Sequence, residues 1–284
     1  MRVTFRGCLV ASLILVAAAM ACGPEKGQAD GSTSTSSGDD ASSSDTPTGS
    51  STDVPVTCNE VHEGDLYVLD NTDLASLAGI VRVTGSVFIS MNDRIQPDLS
   101  FLKCLQTTDG GLFIDMNFRL ESTGGMDNLE EVNSLSITNN GNLRIVTGFD
   151  GITVLFGFEI KFNSSLEEIQ FDSLTTVNWM NIGHCSGTLA DAHHLALDAL
   201  SGFSGLTEVD SINIDGNEVL SSVGLLDALR ANGAPLPLRT AAIRDNPVLL
   251  ESEVNTRLDE LGVQAREVCG NLKGNPKCDC IVGE

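Results

Sequence analysis

The residues of this chain with metal-ligating chemistry gather at one place: His184, Cys185, His193 and His194. Zinc needs three or four convergent ligands, and no zinc-binding spacing occurs here, so no metal or cofactor is expected. Asp and Asn are plentiful, yet neither a helix–loop–helix calcium loop nor the glycine-rich calcium nonapeptide is present. Acid/base hydrolysis needs two carboxylates that meet. Asp115 and Asp215 hold the same place in a repeated strand motif four strands apart, which separates them by about 19 Å. No nucleophile elbow or phosphate loop appears either. The expectation is a protein that is not an enzyme. Asn163-Ser-Ser165 has the form of a glycosylation sequon, but Asn163 also belongs to the repeat.

That repeat is what must position any functional side chain. The pattern apolar-x-Ile/Val-x-x-Asn runs Leu66–Asn71, Val87–Asn92, Leu112–Asn117, Leu135–Asn140, Phe158–Asn163, Ile212–Asn217 and Ala241–Asn246, with a degenerate copy at Met180–Cys185. Final positions are spaced by 21, 25, 23, 23, 22, 32 and 29 residues. Leu-x-x-Val precedes several copies (Leu129–Val132, Leu174–Val177, Leu206–Val209). Leu or Ile follows the Asn by three residues at Leu74, Ile95, Leu120, Leu143 and Leu166. Self-similarity at this period predicts an all-β dominated solenoid, a parallel β-helix of about eight coils whose strands bury their inward residues only by stacking. Asn at each corner is expected to bond turn backbone and to tolerate left-handed geometry. Two short helices are expected near the C-terminus: one around residues 222–230, with Leu225, Leu226 and Leu229, and one capped by Ser252 with Val254, Leu258 and Leu261 on one face.

The segment Phe203–Leu220, Phe-Ser-Gly-Leu-Thr-Glu-Val-Asp-Ser-Ile-Asn-Ile-Asp-Gly-Asn-Glu-Val-Leu, resembles the receptor L domain, the right-handed β-helix of insulin and epidermal growth factor receptor ectodomains. Asp98–Lys103 followed by Leu112–Asn117 is similar to another part of that family. The resemblance spans about residues 58–246, and its Asn-x-x-Leu spacing departs from the Asn-x-Leu of leucine-rich repeats. It implies a disulfide at the N-terminal end, Cys58 to Cys104, in a compartment that permits disulfides. Cys269 is expected to bond either Cys278 or Cys280 in a stapled C-terminal cap, and Cys185 has no inferable partner.

The N-terminus supplies an address. Arg2 and Arg6 precede an apolar run of about 14 residues, too short to span a bilayer and suited to a signal peptide. Ala19-Met20-Ala21-Cys22 resembles the lipobox of bacterial lipoproteins, with Ala19 where Leu is usual. This implies residues 1–21 as signal peptide, Cys22 as the lipid attachment, and an outer-membrane or cell-surface location in a Gram-negative bacterium. Residues 22–57 follow as a Ser/Thr/Asp-rich stalk too poor in apolar side chains to offset its ordering entropy. The domain 58–284 completes the chain. The net charge is −23, and loss of residues 1–21 removes two Arg and no acid, leaving −25. That excess of acid excludes a phosphate-backbone binder, so no nucleic acid partner is expected. Contact with the membrane is expected only through lipid.

Period-two alternation points the second residue of each motif outward: Tyr67, Phe88, Phe113, Ser136, Glu159, Asn181, Asn213 and Ala242. Three successive aromatics, with Leu69 beside them, form the candidate ligand site. The L-domain resemblance implies that this sheet face meets ligands. The functional expectation is a surface-anchored binding or adhesion protein for an extracellular protein or glycan. The alternatives are an envelope spacer without a specific ligand and a polysaccharide-active enzyme.

Overall fold

The computed structural model describes residues 56–92, 94–184, 196–233 and 237–274, all in the unit Asp53–Glu284. The expected signal peptide, Cys22 and nearly all of the expected stalk lie outside the described residues, as do Cys185, His193, His194, Cys278 and Cys280.

Strands dominate, and all their pairings are parallel. The largest sheet has nine strands in chain order: β1 (Leu66–Leu69), β2 (Val87–Ser90), β3 (Leu112–Asp115), β4 (Ser134–Thr138), β5 (Val154–Lys161), β6 (Thr176–Gly183), β7 (Glu208–Asp215), β8 (Leu238–Arg244) and β9 (Ala265–Cys269). A four-stranded sheet joins Glu60–His62, Ile80–Val83, Thr107–Thr108 and Glu131–Val132, again in chain order. Ile145–Val146 pairs with Glu168–Ile169. Two α-helices occur among the described residues, α1 (Gly224–Asn232) and α2 (Glu251–Glu260).

The apolar positions of the motif build the core. Leu66 and Val68, Val87 and Ile89, Leu112 and Ile114, Leu135 and Ile137, and their counterparts on to Ala241 and Ile243 are all at most 5% exposed. The Leu-x-x-Val pairs and Leu74, Leu120, Leu143 and Leu166 join them in one cluster. Strand β9 is a ninth element that the motif did not reveal, because Arg266 stands where its first apolar residue would be.

The corners carry the distinctive polar structure. Asn117, Asn140, Asn163, Asn217, Asn246 and Asn271 are buried. The Oδ1 of Asn140 accepts from the backbone N–H of Asn117 at 2.9 Å and from its Nδ2 at 3.0 Å. Asn163 does the same for Asn140, Asn246 for Asn217, and Asn271 for Asn246. Each Nδ2 also donates to a strand carbonyl, as from Asn140 to Ile114 and from Asn163 to Ile137. Left-handed backbone belongs not to these asparagines but to the residue before each: Met116, Asn139, Phe162 and Asp245, with φ of 55–58°, and Gly216 and Gly270. The L-residues among them are strained by roughly 1–2 kcal/mol each. They hold because the asparagine bonds over-determine the corner.

Four expectations need correction. Asn71 and Asn92 are exposed and outside this ladder. In the second repeat the chain turns one residue early, so Met91 takes the buried corner position and its N–H donates to Asn117 Oδ1 at 2.8 Å. The same shift leaves Ile95 84% exposed instead of in the core. At α2 the N-cap is Leu250, with no side-chain cap, and Ser252 lies inside the first turn.

Cys58 and Cys104 form the disulfide that the resemblance implied, with Cα atoms 5.3 Å apart and a sequence separation of 46. Cys269 is also disulfide-bonded and nearly buried at the end of β9.

Asn140→Ala removes the acceptor for Asn117 and the donor to Ile114, leaving buried backbone groups without partners, each worth about 1–3 kcal/mol. Chemical denaturation should show a loss of about 3 kcal/mol or more. Asn71→Ala, at an exposed position, should change stability by less than about 0.5 kcal/mol.

Candidate ligand-binding face

The parallel register sets outward side chains in rows across the large sheet. In the second-position row Tyr67 pairs with Phe88, Phe88 with Phe113, Phe113 with Ser136, Ser136 with Glu159, Glu159 with Asn181, Asn181 with Asn213, and Asn213 with Ala242. The row continues onto β9 at Glu267. Rings at the first three places stack: Tyr67 on Phe88 and Phe88 on Phe113, each with centroids 4.9 Å apart and planes within 9°. Tyr67 is 56% and Leu69 45% exposed, so no described segment covers this end of the sheet. A Cβ on Gly111 would lie 2.7 Å from the Phe113 ring, so glycine is what lets that ring lean onto the strand.

Beyond Phe113 the row becomes polar and internally bonded. Ser136 Oγ donates to Glu159, Glu159 pairs with Lys161 at 2.6 Å, and Asn213 Nδ2 donates to Asn181 Oδ1 at 2.7 Å. The register therefore brings Tyr67, Leu69, Phe88 and Phe113 together as one apolar patch with a polar boundary.

The other chemistry-bearing residues are occupied elsewhere. Asp115 accepts from Thr138 Oγ1 and Asn139 Nδ2. Asp215 holds Arg244 through two bonds of 2.8 and 2.9 Å, which raises the Arg244 pKa above its ordinary value. Asn163 of the sequon is fully buried in the ladder. Among the described residues no three His, Cys, Asp or Glu come together as a metal-holding group.

His184 follows β6 at the place that Gly216 holds in the next repeat; the ladder position itself falls on Cys185, outside the described residues. Its ring packs 5.0 Å from that of Phe162. Burial, reinforced by Lys161, lowers its pKa against the opposing pull of Asp215 and Glu159. Among the described residues the buried Asn217 Oδ1 has no hydrogen-bond partner.

Three exposed or partly exposed apolar residues lay outside the motif and were missed: Val154, Phe156 and Trp179. Strands β5, β6 and β7 run eight residues, beginning before the motif does. The sequence signal was the apolar run Val154-Leu155-Phe156 just before the motif and the presence of the chain's one Trp. Trp179 pairs across from Gly157, and a Cβ there would collide with the indole ring.

A pH series tests the surroundings of His184. The fold lowers the His184 pKa, chiefly through burial, whereas the unfolded chain protonates near the ordinary value of about 6.5. Stability is thus present above that value and lost as pH falls below it. Calorimetric scans should show this acid-side slope weaken in His184→Asn.

No protein-family model matches this sequence, and no curated protein is significantly similar to it.

Proposed function

We propose that this chain is an exported, lipid-anchored binding protein whose head is a right-handed parallel β-helix of the receptor L-domain type. Nine parallel strands in chain order, in-register side-chain rows and the Cys58–Cys104 bond support the architectural reading. The lipobox-like Ala19–Cys22 supports attachment through Cys22 at the outer membrane or cell surface.

The observation that carries the binding function is the stacked row Tyr67–Phe88–Phe113 with Leu69 beside it, Tyr67 and Leu69 exposed and the two Phe rings half-buried on a parallel sheet. Exposed aromatics fixed by their neighbours lose little side-chain entropy on association and serve as interface anchors. Each face of the Phe88 ring is covered by its neighbours. The row therefore offers ring edges and aliphatic surface, which suits the side chains of a protein partner. A mature charge of −25 favours a partner surface that is basic around an apolar centre.

Two experiments test this reading. Metabolic labelling with a fatty-acid analogue should mark the wild-type chain and not Cys22→Ser; equal label in both, or none in either, overturns the anchor. Immobilised full chain should retain an extracellular protein that Phe88→Ser and Phe113→Ser release by roughly tenfold or more in affinity. Unchanged retention by variants with wild-type circular dichroism would make the row a stiffener of the sheet and overturn the site.

A further inference from the structure

The four-stranded sheet ends at Glu131–Val132. The next strand, β5, pairs with β4 only from Gly157 onward, and Phe156 N–H reaches Asn133 C=O at 2.8 Å. Val154 and Leu155 pair with β6 on their other side but not with Val132. Where the backbones part, a cleft of about 320 Å³ opens, within the range of small-ligand sites. Its apolar wall is Val154 and Phe156, 57% and 56% exposed. Its polar lining is Asn133, Asn178, Thr176 and Glu208, with Asp210 held by Arg239.

We propose that this cleft binds a neutral oligosaccharide. A pyranose ring has an apolar face of C–H groups and a rim of hydroxyls that both donate and accept. Phe156, on which no other described ring stacks, supplies a flat apolar partner for the first. The Asn133 and Asn178 amides, which make no side-chain hydrogen bond among the described residues, supply matched donors and acceptors for the second. Glu208 adds an acceptor. No Lys or Arg lines the cleft, and the net charge is −23, so uronate, sulfated or sialylated glycans are repelled. A basic peptide fits less well, because Arg239 already neutralises Asp210 and leaves Glu208 as the one uncompensated carboxylate in the lining.

The cleft has a built-in reporter. Trp179 is the chain's one tryptophan, follows Asn178 directly, and lies over Gly157, the residue after Phe156. The site deepens the binding reading but is separate from the Tyr67–Phe88–Phe113 row, so the two fail independently.

The test titrates the full chain with cello-, malto-, xylo- and chito-oligosaccharides while following Trp179 emission. At least one series should shift or quench the emission saturably, with matching heat in calorimetry. Phe156→Ala and Asn178→Ala should each weaken that response by about tenfold, and Phe88→Ser should leave it unchanged. Circular dichroism checks that each variant is folded. The proposal is overturned by silence in all four series, by a response that persists undiminished in folded Phe156→Ala, or by a response confined to an oligolysine–phenylalanine peptide control.

Discussion

A peptide N–H buried at a chain corner must find an acceptor, because leaving it unpaired forfeits more than most single contacts return. Here that acceptor is the Oδ1 of an asparagine one repeat further along the chain, whose own amide then donates to a strand carbonyl. The same side chain thus closes the corner of one repeat and fixes its distance and register to the next. If a strand slipped by one residue against its neighbours, its inward Leu and Ile would trade places with its outward residues. The three stacked rings would then no longer meet.

Much of this was legible because the interactions are periodic. Eight of the nine large-sheet strands follow from alternation alone, and the outward row of eight residues, Tyr67 through Ala242, lies in register as the spacing predicts. What escaped is what breaks the period. Arg266 hid β9 because hydrophobic patterning has no means of seeing an exposed first position on an end strand. Met91 and Asn92 look interchangeable in sequence, yet a turn one residue earlier decides which is buried. The strained backbone at Met116 and Phe162 had no compositional sign, since neither residue type favours positive φ.

The candidate sites divide along the same line. The Tyr67–Phe88–Phe113 row was readable because it repeats at a motif position. The cleft beside Phe156 was not, because it arises where the four-stranded sheet ends at Val132 and Val154 does not extend it, a non-repeating event. Regular parallel stacking provides a flat surface, and concavity requires a lapse in it. A lattice of identical steps is thus informative about its extended faces and nearly silent about its pockets.

The step from β6 to β7 spans 32 residues from Thr176 to its partner Glu208, against 22 from Val154 to Thr176, yet the pairing runs unbroken through Gly183 and Asp215. The additional length between Gly183 and Glu208 leaves the register of β6 with β7 unchanged. Loop-closure entropy grows only logarithmically, by about 0.6 kcal/mol for each doubling of length. Length in the connection between these strands is therefore almost free to vary, while length within a strand is fixed. The paired strands behave as the marks of a ruler, and the connection from Gly183 to Glu208 is where foreign segments would be accommodated with the least disturbance to them.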